Sequence, residues 1–194
     1  PTPLWSYETG NNILSVAISA DGQYIVAGSY DSNIYLFSEE SSTPLWTYST
    51  GSGVRTVSIS SDGEYIVTGS QNGNIYLFDK DSSTPLWSYE TGQIIWGVSI
   101  SADGEHIAAA SYDYNVYFFH RDSSTPVWSY ATGAPEVPAV DISADGQYIV
   151  AGVGQTSNSE PKIFLANRSG KIWSHAGAGM VDSVSISADG EYIA

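Results

Sequence analysis

Histidine, serine and carboxylate side chains are the groups in this sequence best suited to catalysis or metal binding. The three histidines, His106, His120 and His175, stand at dissimilar positions of a sequence repeat, and each replaces an aromatic or polar residue of another copy. Serine is abundant, but no Gly-x-Ser-x-Gly nucleophile elbow accompanies it. We therefore predict no catalytic constellation and no enzymatic activity.

One run of oxygen-bearing side chains has the spacing of a calcium-binding loop. Asp79, Asp81, Ser83 and Glu90 fall at positions 1, 3, 5 and 12 of such a loop. Position 6, which requires glycine, is Thr84, and the next residue begins a strand signal. The chain contains no cysteine, which excludes thiolate metal sites and disulfides. We predict neither a metal site nor a cofactor.

Tryptophan recurs along the chain at a nearly fixed interval. Trp5, Trp46, Trp87, Trp128 and Trp173 are separated by 41, 41, 41 and 45 residues. A period of about 40–45 residues is typical of a four-stranded propeller blade, a unit that must stack on copies of itself to bury its faces. The sequence therefore predicts an all-β fold, a β-propeller of four-stranded antiparallel blades.

Each repeat contains four short segments of β-branched and aromatic residues. In the first complete copy these are ILSVAIS, YIVAGS, NIYLFS and PLWTY, between residues 13 and 48. An Asp-Gly pair, here Asp21 and Gly22, separates the first two segments and favours a tight hairpin. The third segment is bulky at successive positions, which indicates a strand covered on both faces by neighbouring blades.

The predicted strands define the organisation of the chain. They give a lone outer strand at residues 3–8, complete blades at about 13–48, 54–89, 95–130 and 137–175, and two strands of a partial blade at 181–194. Four complete blades with a partial blade at the termini indicate a fragment of a longer propeller, or a ring completed by another copy of the chain.

Several of these runs resemble known propeller repeats. SADGQYIVAGSYDSNIYLF at residues 19–37 and SSDGEYIVTGSQNGNIYLFDKD at 60–81 resemble the centre of a WD-repeat blade. PLWSYETG, at 3–10 and 85–92, resembles the tryptophan-bearing strand of quinoprotein-like and related prokaryotic propellers. The Gly-His pair of WD repeats is absent, and Phe37–Ser38 stands where their Trp-Asp pair is expected. The resemblance implies a WD-repeat-like, prokaryotic propeller, most often a non-catalytic scaffold or recognition module.

Differences between the copies concentrate in two sets of loops. One set precedes the first strand of each blade, at residues 11–14, 52–55, 93–96, 134–138 and 178–181; the other joins the second and third strands, at 30–32, 71–73, 112–114 and 153–160. In an antiparallel blade both sets lie at the same edge, so they share one face of the disc. Loops on a rigid scaffold commonly carry binding residues.

The aromatic, arginine and aspartate side chains of these loops are the predicted partner-binding residues, because Tyr, Trp and Arg are favoured at recognition surfaces. They are Tyr30, Asp31, Arg55, Trp96, Tyr112, Asp113 and Tyr114. We hypothesise a non-enzymatic interaction or scaffold module that binds a protein or glycan partner through this face. The alternatives are a self-assembling surface-protein repeat, associating through its incomplete blade, and a propeller enzyme with a site in its axial channel.

The charge balance restricts the classes of partner. The chain has 21 Asp and Glu but only 6 Lys and Arg, which gives a net charge of −15. This negative charge repels nucleic acids and anionic lipid surfaces. No apolar stretch approaches the roughly 18 residues needed to span a bilayer. Abundant Ser, Thr, Tyr and Gly, with few Lys and no Cys, favour an extracellular or cell-surface location over the alternative, the cytoplasm.

Overall fold

The computed structural model describes residues 2–133, 137–154, 162–176 and 181–194, and arranges them as four antiparallel sheets of four strands each. Within every sheet the strands follow the order of the chain. The predicted all-β fold of four-stranded propeller blades is confirmed. Among the described residues there is no helix with the length and apolarity that crossing a membrane requires.

The strand bounds repeat from blade to blade. Blade 1 contains β1 (Ile13–Ile18), β2 (Tyr24–Ser29), β3 (Asn33–Ser38) and β4 (Trp46–Ser49). Blade 2 contains β5 (Val54–Ile59), β6 (Tyr65–Ser70), β7 (Asn74–Asp79) and β8 (Trp87–Glu90). Blade 3 contains β9 (Ile95–Ile100), β10 (His106–Ser111), β11 (Asn115–His120) and β12 (Trp128–Ala131). Blade 4 contains β13 (Ala139–Ile142), β14 (Tyr148–Val153), β15 (Lys162–Asn167) and β16 (Gly170–Ala176).

The Asp-Gly turns join the first two strands of each blade. In blade 2 the Asp62 carboxylate accepts hydrogen bonds from the Ser60 hydroxyl, at 2.5 Å, and from the Glu64 amide, at 3.0 Å. Gly63 has a φ of 76°, in the left-handed region that glycine adopts without steric cost. The recurrent Ser-x-Asp-Gly sequence is therefore a self-contained turn, which explains its repetition in every copy.

The tryptophans of β4 and β8 pack against the following blade. The ring of Trp46 lies 5.4 Å from the ring of Phe78, and its Nε1–H donates to the Lys80 carbonyl at 2.7 Å. Trp87 repeats both contacts with Phe119 and Arg121. The tryptophan period therefore reflects a contact between blades, with the indole buried against one sheet and its polar N–H satisfied.

The first residue of each second strand packs on the Asp-Gly turn of the next repeat; it is a tyrosine in blades 1, 2 and 4 and His106 in blade 3. A Cβ placed on Gly63 would lie only 2.6 Å from Cδ2 of Tyr24, and one placed on Gly104 would lie equally close to Tyr65. Beside each of these contacts a backbone hydrogen bond crosses between blades. The amides of Ala20, Ser61, Ala102 and Ala144 donate in turn to the carbonyls of Ser61, Ala102, Ala144 and Ala188, at 2.9–3.0 Å.

The two predicted end segments differ from full strands. Residues 3–8 run alongside blade 1 and form no strand, and Trp5 packs on Phe37 at 5.4 Å. Residues 181–194 form a hairpin with one isolated bridge, Ile186 with Ile193. Three of the predicted variable loops lie partly outside the described residues. Their undescribed positions are 134–136, 155–160 and 178–180.

The tyrosine-on-glycine contact predicts unequal costs for two chemically identical substitutions. Gly22 and Gly63 share a left-handed φ of 78° and 76°, but a Cβ on Gly22 would meet no described atom within 4 Å. We expect Gly22→Ala to lower the free energy of unfolding by about 1 kcal/mol through backbone strain alone. Gly63→Ala should cost a further ~1–3 kcal/mol, because the methyl group displaces Tyr24. Urea unfolding of both variants measures the difference, and equal losses would contradict this packing.

Candidate binding site

A β-bulge at the start of the first strand re-aims one side chain in each of three blades. In β5, Val54 pairs with Ser70 and Thr56 with Gly69, which leaves Arg55 without a partner. Leu14 in β1 and Trp96 in β9 occupy the same bulged position. Bulges of this kind are frequent beside functional sites, where they redirect a side chain out of the regular pleat.

The bulge also explains how two valines at an odd spacing in the sequence can both be buried on the same face. Val54 and Val57 are three residues apart, so a regular strand would point them to opposite faces. In the structure both are buried against blade 1, and a Cβ on Gly28 would lie 2.7 Å from Val54 and 3.0 Å from Val57. The extra residue between them is therefore the one left free to face the propeller axis.

The bulged residues and their counterparts surround one cavity, here called the axial mouth. It has a volume of about 400 Å³ and is lined by Leu14, Arg55, Trp96, Pro138 and Asp182. Each lining residue stands two positions before a valine of its own repeat. These valines are Val16, Val57, Val98, Val140 and Val184. One position thus carries five different residues in five copies, while the neighbouring core position is always valine.

Arg55, Trp96 and Tyr112 form a continuous stack at the axial mouth. The guanidinium carbon of Arg55 lies 3.5 Å from the centroid of the Trp96 ring, a cation–π distance, and the rings of Trp96 and Tyr112 are 6.3 Å apart. Burial lowers the pKa of Arg55 from its ordinary value, but arginine remains charged at neutral pH. The stack holds a rigid cation and two aromatic faces beside a cavity.

Two donors of this stack have no acceptor within the described part of the chain. No ion pair joins Arg55 to any carboxylate there, although the chain carries 21 acidic residues. The Nε1–H of Trp96 is buried and makes no hydrogen bond to any described residue. Because Arg55 lines the cavity, its guanidinium is suited to an acceptor supplied by a ligand.

Tyr30 and Tyr114 lie on the same face as the stack but outside the cavity lining. The Tyr30 amide donates to the Asn12 carbonyl at 2.8 Å, which joins the two variable loops of blade 1 as the sequence predicts. Tyr114 is 48% exposed and has a φ of 75°, where bulky residues are strained. Blades 1 and 2 place Ser32 and Gly73 at this turn position, so blade 3 holds an aromatic ring outward at a conformational cost.

Asp31 and Asp113 are engaged inside the turns that hold these tyrosines. The Asp31 carboxylate accepts hydrogen bonds from the amides of Gly10 and Asn33 and from the Tyr35 hydroxyl. Burial alone would raise the pKa of Asp31, but the hydrogen bonds outweigh it and hold the pKa below its ordinary value. Asp113 likewise accepts from the Tyr117 hydroxyl and the Asn115 amide. Both carboxylates stabilise loops, and neither lines the axial mouth.

Sequence reasoning found two of the five lining residues, Arg55 and Trp96. It missed Leu14, Pro138 and Asp182, although Leu14 and Pro138 fall in loops identified as variable. The detectable signal was the fixed offset from the repeated valine. Choosing only aromatic and charged loop residues missed this offset, because leucine and proline are not residue types favoured at binding sites.

One group of metal-binding side chains occurs within the described residues. Asp103, Glu105 and His106 bring a ligand atom each within 4.8 Å of the others. The Asp103 carboxylate, however, accepts the Ser101 hydroxyl and the Glu105 amide as its counterparts do in the other Asp-Gly turns. Burial first, and the charge of Arg168 second, lower the pKa of His106 from its ordinary value. Turn geometry explains this group.

The calcium-like run is separated by the fold. Asp79 ends β7, whereas Glu90 pairs with Asn74 at the opposite end of that strand. The Asp79 carboxylate instead accepts the Asp81 amide at 2.8 Å. Positions 1 and 12 of the spacing therefore lie on opposite edges of blade 2.

Comparison with known proteins places the chain in a family. The PQQ_2 family model, described as outer membrane protein assembly factor BamB, matches residues 30–179. The chain belongs to this family. A second model, the WD domain, G-beta repeat, matches residues 2–38, so the WD-repeat-like resemblance is also confirmed. No curated protein matches by sequence.

Among solved structures, hydrazine synthase of Kuenenia stuttgartiensis has the same fold. The superposition gives a TM-score of 0.81 at 15% sequence identity, over 96% of this chain and 56% of that chain. This chain thus spans little more than half the length of that protein, and the similarity concerns the propeller alone.

The strained turn at Tyr114 predicts a variant that becomes more stable. Tyr114→Gly removes the left-handed strain of a bulky residue, and we expect the free energy of unfolding to rise by about 0.5–1 kcal/mol after the entropy cost of glycine. Ser32→Gly, at the matched position of blade 1, should behave similarly. Thermal and urea unfolding test both variants. A less stable Tyr114→Gly would mean that the ring contributes packing that outweighs the strain.

The buried histidine predicts a pH-dependent stability. His106 occupies the place of Tyr65 and Tyr148, and its Nδ1 is buried with no hydrogen-bond partner among the described residues. Burial and the nearby Arg168 charge together hold the pKa of His106 below its ordinary value. The unfolded chain, with an ordinary histidine pKa near ~6.5, then binds more protons, so the protein should lose stability as the pH falls below about 6.5.

His106→Tyr restores the tyrosine of the other blades and removes this titration. We expect a gain of about 1 kcal/mol at pH 7, since an unsatisfied buried nitrogen is lost, and a shallower loss of stability below pH 6.5. Urea unfolding between pH 5 and 8 provides the measurement. An unchanged slope would assign the acid sensitivity to other groups.

Proposed function

We propose that the chain is a non-enzymatic interaction module that binds a protein partner at the axial mouth. The observation that carries the proposal is the contrast between one variable position and its fixed neighbours. Leu14, Arg55, Trp96, Pro138 and Asp182 vary around the cavity, whereas the valine two residues later never does. Variation at the lining of a cavity on a rigid scaffold is expected of a surface selected for recognition.

The Arg55–Trp96–Tyr112 stack is the proposed anchor of the partner. Tryptophan, tyrosine and arginine dominate binding energy at protein interfaces. The cation–π contact of 3.5 Å fixes the guanidinium before the partner arrives, which reduces the entropy cost of binding. Arg55 lacks a carboxylate in the described part of the chain, so we propose that the partner supplies one, from an acidic side chain or a C-terminus.

Two further features fit this proposal. Tyr30 and Tyr114, exposed on the same face, would extend the contact beyond the cavity. The description of the family model names an assembly factor, a protein that acts through other proteins. We further propose an extracellular or cell-surface setting and a prokaryotic origin, on the composition and on the resemblance of the tryptophan-bearing strand.

Selection from a displayed random-peptide library tests the proposal while the natural partner is unidentified. The immobilised protein should enrich peptides that contain Asp, Glu or a free C-terminal carboxylate. We expect Trp96→Ala and Arg55→Gln to weaken binding of the selected peptide at least about ten-fold, as at other interface anchors, measured by fluorescence polarisation.

Arg121→Gln is the matched control. Arg121 also stacks on an aromatic ring, with its guanidinium carbon 4.4 Å from the Tyr65 centroid, but it lies at the opposite edge, beside the turn that contains Glu105. Its loss should leave peptide binding unchanged. Replacing the peptide carboxylate by an amide should weaken binding to the wild-type chain but not to Arg55→Gln. Equal effects on both would contradict the assigned pair, and glycan-array binding without peptide enrichment would reject a protein partner.

A further inference from the structure

The junction between blades 3 and 4 lacks an aromatic ring that the two preceding junctions share. Tyr48 packs on Phe78 across the junction of blades 1 and 2, at 5.1 Å, and Tyr89 packs on Phe119 across the next, at 5.2 Å. At the same register of the third strand, blade 4 has Ala166. The difference therefore lies inside the chain, between two complete blades.

A small polar cavity lies at this junction, and we name it the junction cavity. Tyr130 of blade 3 packs on Phe164 of blade 4, with ring centroids 4.7 Å apart, and both rings line the cavity. Its polar lining consists of Thr132, Lys162, Lys171 and Ser174. The volume of about 30 Å³ admits roughly two or three water-sized groups, at about 10–15 Å³ each. The cavity therefore has room for one small polar group and not for a whole large ligand.

A β-bulge in the fourth strand of blade 4 turns Lys171 toward blade 3. Leu165 pairs with Trp173. The next residue, Ala166, pairs with Lys171, and Ile172 is left without a partner. Opposed residues of antiparallel strands point to the same face, so Lys171 shares the face of Ala166, which is buried between blades 3 and 4. A regular strand would have placed Lys171 on the face of Trp173 instead.

The ammonium group of Lys171 is held over the two aromatic rings. Its Nζ donates a hydrogen bond to the Tyr130 hydroxyl at 3.1 Å. The same atom lies 5.2 Å from the centroid of the Tyr130 ring and 6.0 Å from that of Phe164, within the range of cation–π attraction. A lysine has three donors, so an ammonium fixed in this way can still donate to a ligand.

Lys162 adds a second positive charge to the lining of the same cavity. It replaces the asparagine with which the third strand of each other blade begins. The sequence contains three lysines, and the third, Lys80, forms ion pairs with two carboxylates. Neither Lys162 nor Lys171 forms one within the described ranges. Two like charges that line one cavity repel each other, and an anion bound between them removes that cost.

We propose that the junction cavity binds a tetrahedral oxyanion, a phosphate or sulfate group, between Lys162 and Lys171. Lysine ammoniums bind phosphate as point charges, whereas a planar carboxylate is matched better by the fork of an arginine. The Ser174 hydroxyl, in the same lining, can donate a further hydrogen bond. This inference goes beyond the proposed function, because the junction cavity and the axial mouth share no lining residue.

Titration of the isotope-labelled chain with inorganic phosphate, followed by two-dimensional amide NMR, tests the site. We expect the amides of Lys162, Lys171 and Ser174 to shift along one saturating curve, and sulfate to produce the same shifts. The midpoint of thermal unfolding should rise with phosphate concentration, because the ligand binds only the folded chain. Sodium chloride at matched ionic strength should give no saturating shift. Equal shifts with chloride, or tighter binding of acetate than of phosphate, would overturn the proposal.

Lys162→Gln and Lys171→Gln should each weaken phosphate binding at least about ten-fold, as expected for the loss of a charge-assisted hydrogen bond. Lys80→Gln is the matched control. It makes the same change in net charge, but its ammonium is paired with Glu64 at 3.3 Å and with Asp81 at 3.0 Å, so it should bind phosphate as the wild type does. Equal weakening by all three variants would assign the effect to net charge and reject the site.

Glycerol phosphate distinguishes the two sources of the anion. An ester that produces the same amide shifts as inorganic phosphate, and that Lys171→Gln weakens equally, would support a site for the anionic group of a larger molecule. Binding of inorganic phosphate alone would support a site for the free ion. Arg55→Gln, in the axial mouth, should change neither, so this test and the peptide test fail independently. If none of phosphate, sulfate and the ester shifts these amides saturably, the proposal is wrong.

Discussion

Contact between the faces of consecutive blades is the interaction on which the rest of this structure depends. A blade such as β5–β8 has apolar side chains on both faces, including Ile66, Ile75 and Leu77, all fully buried. No single four-stranded sheet can bury two faces, so the stability of each blade resides largely in its neighbours. The tyrosine-on-glycine contact and the tryptophan hydrogen bond then fix how one blade is rotated on the next.

The inner edge of each blade raises a second requirement, because an edge strand carries unpaired amides. Side chains of the preceding blade accept hydrogen bonds from these amides. Ser15 accepts one from the Val57 amide, Thr56 one from the Val98 amide, and Asp141 one from the Ile186 amide. Small polar residues of the first strand are therefore structural. The valine and isoleucine of the first strand are needed in the core, and its small polar residues are needed at the edge. The bulged position has neither role, so it can vary without cost to the fold.

The repeat period and turn chemistry made the blades predictable from the sequence, because every copy repeats the same strand segments and the same Ser-x-Asp-Gly turn. The bulge was not predictable, since it depends on the register between two strands and leaves no mark on the 41-residue spacing. The Arg55–Trp96 stack joins side chains of different blades, which no local pattern reveals. Asp31 and Asp113 look like surface ligands in the sequence, and only the positions of Tyr35 and Tyr117 show that they serve the turns.

Electrostatics adds a constraint on the proposed partner. Arg55 offers a partly buried cation within a chain of net charge −15, so a carboxylate is attracted at contact distance but repelled on approach. Screening acts on the long-range term far more than on a desolvated contact. A partner acidic throughout would therefore bind faster as salt increases, whereas one that surrounds its carboxylate with basic residues would bind more slowly. The acidic surface thereby favours the second class of partner, which combines one carboxylate for Arg55 with a basic periphery.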